Sequence, residues 1–202
     1  AVRGKKPGSR PGRGGAGGVP MTRTRRVTVA GVLMACAGER CDMPGLADLN
    51  ALPARDFEEL LLRCCAAQGW ARHVTEGRPY ASLADLVAAA DAAWAGRDPG
   101  DLDAAMAGHP RIGERRLSGW SAQEQAGVGS DADVATALAD GNAAYEQRFG
   151  HVFLICATGR GPAEILAELN RRMSHDPATE RQVAAAEIGK INEIRLRKLV
   201  AA

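Results

Sequence analysis

Aromatic side chains are scarce in this chain: three Trp, two Tyr and three Phe make up 4% of its 202 residues. Burial must therefore rest on small and aliphatic side chains at close contacts, which favours helices packed against helices. No apolar run approaches the roughly 18 residues needed to cross a bilayer, and no apolar signal core follows the first residues. A membrane protein and a secreted one are both disfavoured, and the cytoplasm is the expected compartment. Five cysteines, Cys36, Cys41, Cys64, Cys65 and Cys156, form no CxxC pair. Reduced, mostly buried thiols are expected, with neither a disulfide framework nor a structural zinc. Acids are missing altogether from residues 1–26, which hold eight basic side chains.

That asymmetry decides what the net charge of +2 means, because the remaining 176 residues carry 18 basic against 24 acidic side chains, a balance of −6. An acidic body offers no broad surface for nucleic acid. Residues 1–20 contain seven glycines and three prolines and have almost nothing to bury, so residues 1–26 are expected to be a disordered basic tail. Residues 27–202 are expected to form a single helical domain. From Leu46 the pattern is helical: Phe57, Leu60, Leu61, Cys64 and Cys65 recur at spacings of three and four. Ser82 and Asp85 form a candidate capping box, followed by a stripe of Leu83, Leu86, Val87, Ala90 and Trp94. A further helix between Asp98 and Ala107 is stopped by Gly108-His109-Pro110. Val134, Leu138, Tyr145 and Phe149 line a helix that Gly150 ends, and Ile165, Leu166 and Leu169 line the next. Only HVFLICA (151–157) reads as extended. Asp176 and Pro177 open a long last helix running toward Leu199. The expected fold is an all-α bundle of about seven or eight helices.

Three features carry possible chemistry, and each has a plain structural reading beside the functional one. His109 sits in a G-H-P-R-I-G loop, either as a hydrogen-bonded structural histidine or as a proton donor working near neutrality. His73, His151 and His175 share no metal-ligand spacing with it, so no metal site is expected. Ser121-Ala122-Gln123-Glu124-Gln125 is an S-x-x-E capping box; the same helix N-terminus would also suit an anionic ligand. Arg195 falls on the apolar stripe of Ile188, Ile191 and Leu199. It reads as a snorkelling side chain, as half of an ion pair with Glu187 or a more distant acid, or as a fork for a carboxylate.

Taken in order, FEELLLRCCAAQGWARHV (57–74), RPY (78–80), HPRIGE (109–114), SAQEQAG (121–127), NAAYEQRFGHVFLICA (142–157) and the spacing of Glu187, Ile191, Arg195 and Leu196 resemble the 2-oxo-4-hydroxy-4-carboxy-5-ureidoimidazoline (OHCU) decarboxylases of urate breakdown. The resemblance covers most of residues 46–200. It implies an all-helical homodimer that converts OHCU to (S)-allantoin without a metal or organic cofactor. It also implies His109 as proton donor and Glu124 as the acidic residue of the site. Substrate contacts would come from Pro110, from Ser121, Ala122, Gln123, Glu124 and Gln125, from Phe153, Leu154, Ile155, Cys156 and Ala157, and from Arg195. Departures are a short stretch between His109 and Ser121, His151 where an aromatic residue is usual, and the tail before Met21.

The inventory suits such a reaction, since decarboxylation needs a place for electrons rather than a nucleophile, and the substrate's ring imine supplies it. Two other readings compete. One is a small helical nucleic-acid-binding regulator with residues 1–26 as its arm, for which the basic RRM (171–173) and RLRK (195–198) clusters are short. The other is a decarboxylase of a related ureido acid.

Overall fold

Helix starts and stops written in the sequence lay out the architecture. A computed structural model describes Ala1, residues 45–113, Gln125 and residues 132–200. Apart from Ala1, the tail expected over residues 1–26 and its boundary with the domain lie outside the described residues. Among the described residues there are eight helices and no strand: α1 (Leu46–Ala51), α2 (Ala54–Cys64), α3 (Gln68–Glu76), α4 (Leu83–Ala95), α5 (Pro99–Ala107), α6 (Ala132–Phe149), α7 (Pro162–Arg172) and α8 (Pro177–Val200). The expectation of an all-α bundle holds.

The caps fall where side-chain chemistry placed them. Ser82 Oγ accepts the Asp85 N–H at 3.1 Å, although the box closes through the hydroxyl, which donates to the Asp85 carboxylate at 2.8 Å. Asp98 accepts the Asp101 N–H at 2.8 Å ahead of Pro99. Asp176 Oδ1 accepts the N–H groups of Ala178 and Thr179, both at 3.0 Å, satisfying two orphan donors of α8. Gly150 follows α6 with φ +76°, a left-handed conformation that favours glycine.

Packing then separates the apolar side chains into two cores. The larger joins α1 to α5 with the inner face of α8; the smaller joins Ile112, Leu138, Tyr145, Ile165 and Leu169. α4 lies against both α3 and α8. Trp94 crosses to α8, where its indole N–H donates to the Ala185 carbonyl at 2.8 Å. Gly189 admits that ring, since a Cβ there would lie 3.2 Å from it. Among the described residues six of the seven aromatic side chains are buried, so these large rings are spent on the cores rather than on the surface.

Residues 152–157 run between α6 and α7 without helix, turn or bend. Their side chains alternate: Leu154 enters the larger core, while Phe153, Ile155 and Ala157 enter the smaller. A period of two is the mark of extended chain, and it places this segment at the seam between the cores.

Candidate active site

The His109 loop is shaped from its own helix outward. Gly108 ends α5, its N–H returning to the Ala104 carbonyl at 3.0 Å, and a Cβ on it would meet the Ala66 methyl at 2.8 Å. His109, 8% exposed, lays its Nδ1 2.6 Å from the Ala105 carbonyl. A carbonyl only accepts, so Nδ1 carries the hydrogen and Nε2 is the nitrogen that can gain or give up a proton.

Beyond Pro110 the loop is tied down by α6 and by Gln125. Arg111 donates Nε and Nη2 to the two oxygens of Glu146 at 2.5 and 2.7 Å. Those bonds hold the Glu146 carboxyl below its usual range against the opposing effect of burial. Asn142 Nδ2 donates to the Ile112 carbonyl at 3.0 Å. Gln125 Oε1 accepts the Gly113 N–H at 2.7 Å and its Nε2 donates to the Arg111 carbonyl at 3.3 Å. Gly113 itself has φ +81°.

Arg195 comes from α8. It is 7% exposed, and its Nη1 donates to the Cys64 carbonyl at 2.7 Å. Cys64 is the last residue of α2, so the guanidinium meets the negative end of that helix. Glu187, one of the partners considered for Arg195, is engaged elsewhere: it accepts the Cys156 N–H at 2.7 Å and Lys190 Nζ at 2.6 Å. Eight residues of helix put it about 12 Å from Arg195 along the axis. Next to Arg195, burial pushes the Cys65 thiol up to about 11, against the smaller lowering effects of Asn192 and Arg195. Cys65 is thus held as a neutral thiol at the edge of the larger core.

These parts surround one small cavity of about 400 Å³, counting the space open to solvent. His109, Pro110 and Gln125 line it together with Arg195, and Phe153, Leu154, Ile155 and Ala157 form its wall. Cys156, expected on that wall, is partly exposed and is not among the lining residues; its N–H donates to Glu187. Ser121, Ala122, Gln123 and Glu124 lie outside the described residues, as do residues 114–120 of the short stretch that precedes them. The sequence reading missed Ile112, Thr158, Ile191 and Ile194, which also line the cavity. Ile191, one helical turn before Arg195, was legible from that spacing. His151 stands edge-on to Tyr145 with ring centroids 5.5 Å apart, so the imidazole takes the place of an aromatic ring there.

The chain is 32% identical over 145 residues to the uric acid degradation bifunctional protein TTL of Arabidopsis thaliana, covering 67% of this chain and 45% of that longer protein. It is 32% identical over 166 residues to the 2-oxo-4-hydroxy-4-carboxy-5-ureidoimidazoline decarboxylase of Amia calva, covering 75% of this chain and 92% of the relative. Among solved structures, that of an OHCU decarboxylase in the presence of (S)-allantoin superposes with a TM-score of 0.65 at 30% identity, over 72% of this chain and 99% of that one. With the OHCU decarboxylase family model matching residues 50–197, this chain belongs to the OHCU decarboxylase family.

Proposed function

We propose that this chain removes CO2 from OHCU to give (S)-allantoin in urate breakdown, acting as a cytoplasmic homodimer without metal or organic cofactor. The observation that carries the proposal is the meeting of His109, Pro110, Gln125 and Arg195 at one cavity against the 153–157 wall. Membership of the family supports the same substrate. Among the described residues no helix is long and apolar enough to cross a membrane.

The chemistry follows from the parts. Arg195 offers a planar fork for the substrate carboxylate, and the apolar wall strips water from it. The bond from ring carbon to carboxylate breaks, its electron pair enters the adjoining ring imine, and CO2 departs. His109 then delivers one proton from Nε2 to one face of the carbanion-like product, its ring held by the Nδ1 bond to Ala105. Glu124 serves as the acid of the site, toward the imidazole or toward the 4-hydroxyl and ureido groups.

The direct test feeds OHCU made in place from urate by urate oxidase and hydroxyisourate hydrolase, and follows circular dichroism as (S)-allantoin forms. A signal growing no faster than without the chain would overturn the proposal. Within that assay, Arg195→Lys keeps the charge and loses the fork. KM should rise at least about tenfold, the scale of a charged hydrogen bond, while the thermal midpoint changes little. If both Arg195→Lys and Arg195→Met keep the parent KM, Arg195 serves only as a brace for α2.

A further inference from the structure

Behind the cavity wall stand two buried charges that the chemistry above does not use. Arg172, fully buried on α7, donates Nη1 to the Leu154 carbonyl at 2.7 Å. Glu187 on α8, 7% exposed, accepts the Cys156 N–H at 2.7 Å. In extended chain the C=O of one residue and the N–H two residues on lie along the same edge, where a neighbouring parallel strand would pair with both. Here a guanidinium and a carboxylate take the place of that strand.

We infer that Glu187 is a positioning residue for the decarboxylation, setting the register of the 153–157 wall against Arg195; this rests on the function proposed above. Glu187, Ile191 and Arg195 follow at i, i+4 and i+8 and share one face of α8. A single rigid helix therefore carries the group that fixes the wall, a lining side chain and the cation. The register needs fixing, because a slip of one residue would exchange the core-facing sets of an extended segment. Ile155 would then leave the smaller core and Cys156 would enter it. A hydrogen bond from the backbone amide to an acceptor of the right reach fixes the register that packing between two apolar cores leaves open.

Three variants separate positioning from charge or bulk. Glu187→Gln keeps an acceptor of equal reach; Glu187→Asp keeps the charge but withdraws the acceptor by one methylene; Glu187→Ala removes both. Lys190, whose side chain is 56% exposed, loses its ion pair in the Gln and Ala variants alike, so that loss cannot distinguish them. In protein labelled with ¹⁵N-cysteine, the Cys156 amide proton should resonate downfield and exchange slowly in the parent and in Glu187→Gln. In Glu187→Asp and Glu187→Ala it should move upfield and exchange at least about tenfold faster. With OHCU, kcat/KM should stay within about threefold of the parent for Gln and fall at least about tenfold for Asp and Ala, with loss of stereochemical purity. If Ala fails to fold, the Gln and Asp pair decides alone. An unchanged Cys156 amide in Glu187→Asp, or equal losses of kcat/KM in Gln and Asp, overturns the inference. A parent that does not turn over OHCU overturns the functional reading, and the amide signal then decides by itself whether Glu187 holds the wall.

Discussion

His109→Asn is expected to lower enzyme-controlled formation of (S)-allantoin by about 10²-fold or more, the usual scale for removing a general acid. The substitution is chosen from the geometry. Asn Nδ2 falls close to the position of His Nδ1, so it can keep donating to the Ala105 carbonyl, now 2.6 Å from the imidazole. What disappears is Nε2, the nitrogen assigned to the moving proton. The loop should therefore stay in place, held by Asn142 on the Ile112 carbonyl and Gln125 on Gly113, and far-ultraviolet dichroism should match the parent. Product that still forms should drift toward a racemate, since unaided decay in water has no preferred face. Chiral chromatography of the allantoin, with rates from the coupled assay, measures both effects. A His109→Asn protein making (S)-allantoin at the parent rate would remove His109 from the mechanism.

What the sequence made legible follows from which forces are local. Caps and stops depend on a few neighbouring residues, so Ser82, Asp98, Gly150 and Asp176 could be read directly. Arg195 was legible because a charge on an apolar stripe contradicts its surroundings. The same test would have found Arg172, which continues the stripe of Ile165 and Leu169 at i, i+4 and i+7. In the sequence it sits beside Arg171 in a short basic cluster. In the fold Arg171 is exposed and pairs with Glu168, while Arg172 is sealed in the interior. The two neighbours differ by 100° around one helix, which composition does not register. Glu187 was harder to read. Its partner is a backbone amide 31 residues away, and no side-chain pattern announces a backbone group.

Arg172→Met should produce the largest loss of stability, about 3–5 kcal/mol, because it leaves a buried carboxylate without its cation. In the parent, Arg172 and Glu180 are both fully buried. Arg172 Nε meets Glu180 Oε1 at 2.8 Å, and the hydroxyl of Tyr145 also donates to that oxygen. His175 Nδ1 lies 2.7 Å from Oε2, and the guanidinium sits 4.7 Å over the Phe153 ring. Burial works to raise the Glu180 carboxyl, but the bonds from Arg172, Tyr145 and His175 and the charge of Arg172 outweigh it and hold it below the usual range. A depressed native value means this carboxylate adds stability above its unfolded value of about 4.3, stability lost as pH falls through the native one. In Arg172→Met the balance reverses: burial remains, the cation is gone, and the native value rises above the unfolded one. Glu180 then costs stability at neutral pH, and that cost fades as pH falls through the raised native value toward the unfolded one. The difference between parent and variant should therefore be largest near pH 7 and shrink toward acid, as denaturant titrations across that range would show. Replacing the carboxylate as well, in Arg172→Met with Glu180→Leu, should recover much of the loss, since an apolar pair leaves no charge stranded. A single variant less than about 1 kcal/mol weaker than the parent at pH 7, or a difference that grows toward acid, would show that the network is not what secures Leu154 and Phe153 behind the cavity.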